Sequence, residues 1–371
     1  MSKTVAVIGG GYGGAAVAKA LDEHTDVVLI EPKDAFVHAA GSLRALVRPD
    51  WAANIFFPYD GLLRRGRVVR EYAASVDASG VTLASGARVD ADHIVLASGS
   101  GYPYPAKTDT DVADEALARL HATHEDLAGA QRVLIVGAGP VGLELSGEIK
   151  AVWPDKHVTI VDPAPELLPG FEPALREELH RQLTGLGVEL RLSTRLSEEP
   201  PGDPGQAKTF TVATAGGDGS ELTADIWFRC YGVVTNGDYL SDGRLTTRTA
   251  EGRVRVTEHL TVQGHDHVYA LGDITDLAEA KMAGHAMQHA EVVAQNILAQ
   301  TRGETPTATY RPSPVPAVLL PLGPSGGVGQ LPTEDGAQIL PAQAVAEYKG
   351  ATLFTERFAT LFNTEPPTTQ N

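Results

Sequence analysis

The chain has 371 residues, 43% of them hydrophobic and 21% charged, which is enough for two or three domains with a sizeable core. Its net charge of −17 speaks against nucleic-acid binding and against adhesion to anionic lipid, and no apolar run reaches the roughly 18 residues of a membrane-spanning helix. Its one cysteine, Cys230, excludes an intrachain disulfide and any C-x-x-C redox pair, and reads as a buried strand thiol in a reducing compartment.

In chain order, "MSKTVAVIGG" enters a strand at once, without a signal peptide, and Ser2 offers no N-myristoylation site. A cytoplasmic location follows as the expectation, with at most a peripheral membrane contact. "TVAVI" is a buried parallel strand by composition and "AAVAKAL" has helical apolar spacing. Between them Gly9, Gly11 and Gly14 keep the G-x-G-x-x-G spacing, with Gly10, Tyr12 and Gly13 in the same loop. The first glycine permits a tight turn and the second lets a pyrophosphate approach the backbone. The third lets helix and strand pack closely, so that the helix N-terminus faces the phosphates. "DVVLIE" then closes on Glu31, the acid expected at a ribose hydroxyl about 20 residues on, with Lys33 nearby. "RRGRVVR", residues 64 to 70, reads as a solvated turn and strand.

"DADHIVLASGSGYPYPA", residues 90 to 106, ends in small residues and prolines and reads as a crossover between domains. The device is then built again. "VLIVGAGPVGLELSGEI" carries Gly137, Gly139 and Gly142, and "HVTIVD" closes on Asp162. Glu144 and Glu148 lie four apart on one face of that second helix. Glu144 falls near the nicotinamide end of a bound dinucleotide, whereas Glu148 is either an exposed acid or a partner for a lysine. "EEPPGDPGQ" is a polar loop, and "ADIWFRCYGVVTN", residues 224 to 236, reads as the return crossover. "HVYALGDITD" follows, where Asp273 is a cofactor-contacting aspartate, a helix N-cap, or both. A helix is expected over "AEAKMAGHAMQHAEVVAQNILAQ". Its His285 and His289 have i, i+4 spacing but lack an H-E-x-x-H motif, so no metal is expected. After residue 310 come short strands and a final helical piece, with Leu353, Phe354, Phe358, Leu361 and Phe362 on one apolar stripe. That stripe fits a docked helix, a dimer contact or an apolar lip for a substrate.

These elements predict an α/β protein with two Rossmann-like dinucleotide-binding domains plus a small C-terminal α+β domain. The boundaries read as 1–106 with 237–310 for the first domain, 107–236 for the second and 311–371 for the last.

The order of the two fingerprints, "LASGS", "CYGV" and "ALGDITD" looks like the two-dinucleotide flavoprotein fold. More specifically, "DAFVHAAGSLRALV", "GLELSGEIKAVWPDKHVTIVD", "EHLTVQGHDHVYALGD", "AKMAGHAMQHAEVVAQNI" and "LGPSGGVGQ" resemble the apoptosis-inducing-factor 2 group, also called ferroptosis suppressor proteins. The resemblance covers nearly the whole chain. It implies FAD in the first unit, NAD(P)H in the second and a quinone as electron acceptor. It further implies that Arg44 contacts FAD, as a pyrophosphate clamp unless it is a surface helix charge, and that the Val68 backbone meets the adenine. It places three catalytic candidates at the flavin ring: His38 as a proton shuttle to the quinone or a packed polar residue, Lys281 opening a helix near the ring and stabilising the reduced flavin, and Glu148 as the possible partner of Lys281. Asp162 favours NADH, since a carboxylate there accepts from the 2′-hydroxyl and repels a 2′-phosphate. The expected activity is hydride transfer from NADH to FAD and on to a quinone, by a monomer or homodimer. Two alternatives stand beside it: a reductase serving a ferredoxin or rubredoxin partner, and a non-turnover NADH redox sensor.

Overall fold

The computed structural model describes residues 2–216 and 219–365. Five parallel strands form the first sheet, in the order Val268–Ala270, His93–Leu96, Thr4–Ile8, Asp26–Ile30 and Arg67–Val69. Four parallel strands form the second, in the order Val188–Arg191, His157–Val161, Arg132–Val136 and Ile226–Arg229. Near-continuous apolar runs such as "VAVI" and "VLIV" suit strands covered on both faces. The first sheet takes its last strand from residues 268–270, so the chain leaves this unit and returns. The outgoing and returning segments pair with each other as Ser100–Gly101 and Val234–Thr235, antiparallel.

Each glycine-rich turn follows the central strand of its sheet. The helix Tyr12–Leu21 follows the first turn, and Pro140–Val152 follows the second with proline at its start, where no backbone donor is lost. Gly9 has φ +100° and Gly137 φ +113°, so the chain reverses in a region that side chains rarely adopt.

The C-terminal part grips both units. Its antiparallel sheet, Val318–Leu322, Gly326–Thr333 and Gly336–Leu340, shares a core with the second unit through Leu320, Leu322 and Val328. Its last helix, Thr355–Phe362, packs on the first unit instead. Phe362 is fully buried, with ring centroids 4.9 Å from Phe36 and 5.7 Å from Tyr59. Phe358 stacks 5.3 Å from Phe36. Leu353 and Phe354 have left-handed φ values of 52° and 61°, so the helix starts after them and the expected stripe is shorter than its sequence suggests. Leu353 is buried all the same, whereas Phe354 is partly exposed. Among the described residues no helix is long and apolar enough to cross a membrane.

Phe362→Ala should cost about 3–5 kcal/mol, the usual range for a buried phenylalanine truncated to alanine. Urea unfolding measures it. A change below about 0.5 kcal/mol, the scale of surface substitutions, would show that this helix is not anchored on the first unit.

Candidate cofactor site

Both glycine triplets show the same division of labour. A Cβ on Gly14 would stand 1.8 Å from Gly9 O, and one on Gly142 2.0 Å from Gly137 O. Each third glycine is therefore what lets its helix close on the turn. A Cβ on Gly11 or Gly139 would meet nothing within 4 Å. Each second glycine faces open space, where a phosphate can reach the backbone. In the first unit Gly10 lies against Tyr59, whose hydroxyl donates to Gly10 O at 2.8 Å, and Gly13 lies against Leu271 and Ala286.

The strand-end acids are matched as well. Glu31 Oε2 accepts the Gly10 amide at 2.6 Å and its Oε1 accepts Lys33 N at 3.0 Å. Asp162 Oδ2 accepts the Ala138 amide at 2.7 Å and its Oδ1 accepts Ala164 N at 2.8 Å. Each carboxylate braces its own glycine-rich loop and keeps lone pairs for a ribose hydroxyl. Lys156 and His157 stand at the other end of the strand from Asp162, and Lys156 Nζ donates to Ala128 O at 3.0 Å. Neither basic residue adjoins the acid.

A cavity of about 710 Å³ runs over the first loop, with Glu31, Lys33, Tyr12, Asp273 and Lys281 among the residues of its wall. The open side of Gly11, the braced Glu31 and this volume fit a dinucleotide with a bulky ring system. Asp273 Oδ2 accepts the Ser100 hydroxyl at 2.5 Å. Val68 lies in the edge strand, opposite Leu29, with its backbone next to the strand that Glu31 follows.

Several expected site residues stand behind this wall. The Arg44 guanidinium is buried against Glu148, with Nη2–Oε1 at 2.7 Å, and its Nη1 donates to Ala351 O at 3.0 Å. Glu148 is therefore no exposed acid, and it does not partner Lys281 as expected. Its neighbour on the same helix face, Glu144, pairs with Lys349 at 2.9 Å, and burial raises the Glu144 pKa against the pull of that ammonium. Lys281 precedes its helix, which begins at Ala283, and its Nζ donates to Thr275 O (2.9 Å) and Leu277 O (3.0 Å). Burial and Arg253 lower its pKa, against the pull of Glu279, Asp273 and Asp276.

His38 is buried behind Tyr12. Its Nε2 is 2.6 Å from Leu353 O and its Nδ1 is 2.9 Å from the Tyr12 hydroxyl. A carbonyl only accepts, so Nε2 carries the proton and Nδ1 accepts from Tyr12. Tyr12 Oη also accepts the Ala40 amide at 3.0 Å. Tyr12 thus joins the cavity to a neutral histidine. His289 is buried too. Its Nδ1 accepts Gly272 N–H at 3.0 Å, and its Nε2 is 2.8 Å from Glu279. Its partners are thus the turn before Asp273 and the loop before Lys281, while His285 Nδ1 is bonded to Ala280 O.

Sequence reasoning missed Lys349, which closes on Glu144 from 205 residues away, and Ser100 and Lys107 in the cavity wall. A lysine just after the crossover prolines in "YPYPAK" was the one local signal for Lys107.

Two glycine-rich cradles on two parallel sheets, each braced by a strand-end acid, define a pyridine-nucleotide-dependent flavoprotein. Residues 3–295 match the family described as "Pyridine nucleotide-disulphide oxidoreductase". The chain belongs to that family and takes FAD and NAD(P)H as cofactors. It is 33% identical to "Ferroptosis suppressor protein 1" of Taeniopygia guttata over 89% of each chain. It is 29% identical to "Apoptosis-inducing factor homolog B" of Dictyostelium discoideum over 99% of each. Among solved structures, the sulfide:quinone oxidoreductase of Aquifex aeolicus shares the fold at TM-score 0.76 and 18% identity, covering 98% of this chain and 92% of that one. The chain is an oxidoreductase of the flavin and pyridine-nucleotide class.

Burial holds the His38 pKa down at about 4, with Lys349 adding to the effect and the bond to Leu353 opposing it, against an ordinary value of 6.5. Between those pH values the unfolded chain binds a proton here that the folded chain refuses. Stability therefore falls as pH drops through that window, by at most about 3 kcal/mol from this group. His38→Gln should flatten that fall in urea unfolding between pH 7 and 4, and an unchanged slope would remove His38 from the balance.

Proposed function

We propose that this chain is an NADH:quinone oxidoreductase that holds FAD at the first cradle and receives NADH at the second. The observation that carries the reading is the cysteine count. Cys230 is the only cysteine, it is buried, and burial pushes its thiol up to about 12. No cysteine pair stands between flavin and acceptor, so electrons must leave the flavin directly for an acceptor from outside. The fold likeness to an enzyme named for quinone supports the choice of acceptor. FAD, when bound, supplies hydride acceptance from the nicotinamide and electron delivery to the acceptor.

The chain's own residues have distinct parts in this proposal. Gly9, Gly11 and Gly14 admit the FAD pyrophosphate, Glu31 and Asp273 accept from its hydroxyls, and the Val68 backbone borders the adenosine end. Gly137, Gly139, Gly142 and Asp162 do the same for NADH, with Glu144 one turn into the helix. Lys281 presents a positive charge at the cavity, on a side chain that carbonyls alone hold. Quinone reduction takes up a proton beyond the hydride. The chain from Tyr12 to His38 is a route for it, since each member both donates and accepts. Arg44, Glu148 and Lys349 act from behind the wall and hold its parts in register.

The test is anaerobic. NADH should bleach the flavin of the purified protein, and a short-chain quinone should restore its colour with no protein acceptor present. Restoration by a ferredoxin but by no quinone would overturn the acceptor. The ratio of kcat/KM for NADH and NADPH reads the part of Asp162, and a clear NADPH preference would refute it.

Gly11→Val is the sharper test of where FAD sits. Beyond its own chain neighbours, the added Cβ meets nothing within 4 Å, so the fold accommodates it while the cofactor's phosphates do not. The variant should purify folded and colourless. Full flavin content would reassign the two cradles.

A further inference from the structure

Among the described residues the cavity wall carries three cations, Lys33, Lys107 and Lys281, and Lys281 alone makes no ion pair. Its ammonium is held by carbonyls of its own loop, Thr275 O and Leu277 O. Such bonds fix the side chain to the loop but not the loop to the protein. Up to Asp276 the backbone does that, since Val254 N–H donates to Ile274 O and Asp276 N–H donates to Val254 O, both at 2.8 Å. Beyond Asp276 the loop is tied by side chains to the helix that follows it, Ala283–Thr301. His285 Nδ1 is bonded to Ala280 O, and His289 meets Glu279.

His289 is 1% exposed and touches the loop at two places. Its Nδ1 accepts Gly272 N–H at 3.0 Å. Its Nε2 lies 2.8 Å from Glu279 Oε1, off the axis of the Nε2–H, which finds no other acceptor among the described residues. Glu279 Oε2 accepts the Tyr310 hydroxyl at 2.5 Å, and the Tyr310 ring stands edge-on to His289 with centroids 4.2 Å apart. The imidazole thus clamps both ends of the stretch 272–279. None of these three side chains lines the cavity.

The charge state of the ring follows from the amide. A donor at Nδ1 requires a bare nitrogen there, so the ring is neutral and carries its proton on Nε2. An imidazolium would set two N–H groups against each other. A proton reaching Nε2 has nowhere to continue, so His289 is no relay and its part is geometric. Burial pushes the Glu279 carboxyl up, but the contacts from His289 and Tyr310 outweigh burial and hold it below its ordinary value.

We propose that His289, with Glu279 and Tyr310 behind it, is a positioning residue that sets where the Lys281 ammonium stands at the flavin, and through that charge the reduction potential of the cofactor. The inference rests on FAD occupying the first cradle with its ring toward Lys281. Reduction adds electron density to the ring system, and a cation held in place favours the reduced form without reorganising. A loop free to swing would withdraw that cation, although Lys281 itself is untouched.

The experiment equilibrates the flavin with a redox dye, in the absence of NADH and quinone, for wild type, His289→Leu and His289→Gln. Leucine removes acceptor and donor together, and glutamine restores one of each. At a fixed dye potential, His289→Leu should shift the ratio of reduced to oxidised flavin about tenfold toward oxidised, about 30 mV for two electrons, the scale of moving one charge by a few ångströms in a half-buried site. His289→Gln should stay within about twofold of wild type, because an amide offers both bonds. An unchanged potential in His289→Leu overturns the proposal, even with a lower melting temperature, because a packing residue would show that. An equal shift in both variants also overturns it, because the loop would then depend on the ring and not on its two contacts. Should His289→Leu fail to hold flavin, Tyr310→Phe keeps the ring against His289 and removes the hydroxyl from Glu279, and its potential is read in the same way. An unchanged potential beside a flavin-free Gly11→Val sinks the positioning and leaves the placement of FAD intact. Flavin retained by Gly11→Val sinks the placement itself.

Discussion

Two helices in this chain approach the turns before them more closely than any side chain allows. At Gly14 and Gly142 a single methyl group would collide with the carbonyl of the first glycine in its own turn. The close approach brings the unpaired amides of the helix N-terminus to the end of the central strand. The acid on the neighbouring strand then reaches the turn, as Glu31 reaches Gly10 and Asp162 reaches Ala138. With the backbone pinned from both sides, the second glycine is left facing open space. The cradle is a consequence of packing before any ligand arrives.

A second constraint joins the units. Arg44 belongs to the first unit, Glu144 and Glu148 to the helix of the second, and Lys349 and Ala351 to the C-terminal segment. Their groups meet in one polar cluster, in which the Arg44–Glu148 pair is buried and the Glu144–Lys349 pair is half-buried. The His38 bond to Leu353 O ties the same segment to the first unit. Desolvation offsets much of the attraction in such buried pairs, so their main effect is on position. Removing either partner of the buried Arg44–Glu148 pair strands the other charge, at about 3–5 kcal/mol. The C-terminal segment thus reads the relative placement of the two cradles through directional bonds, while its sheet and helix supply apolar contact to each.

The cavity over the first loop has its polar groups arranged in the same way, with few left to chance. Asp273 is aimed by Ser100, the turn before it is held by His289, and Lys281 is pinned by Thr275 O and Leu277 O. Groups held by the backbone need little reorganisation when charge arrives or leaves, which is the condition for electrostatic control of a cofactor.

Much of this was legible in the residues alone, and the parts that were have a common character. The glycine spacings, the strand-end acids, the two parallel sheets and the paired crossovers follow from periodicity and short-range spacing, which act within some 30 residues. The failures are equally consistent. The apolar pattern places Lys281 inside a helix that in fact begins two residues later, because the extended Met282 leaves no mark in that pattern. Nothing near Glu148 in the sequence points to its partner Arg44, which lies 104 residues before it, and Lys281 does not reach it. Lys107 and Lys349 gave no local signal of the charges they would meet. By itself the sequence determined that there are two glycine-rich turns between strand and helix and which acid braces each, because that geometry is written in contiguous backbone. Only the tertiary structure decided which charges face the cavity and which are buried behind it, because a side chain's partner depends on where distant segments cross.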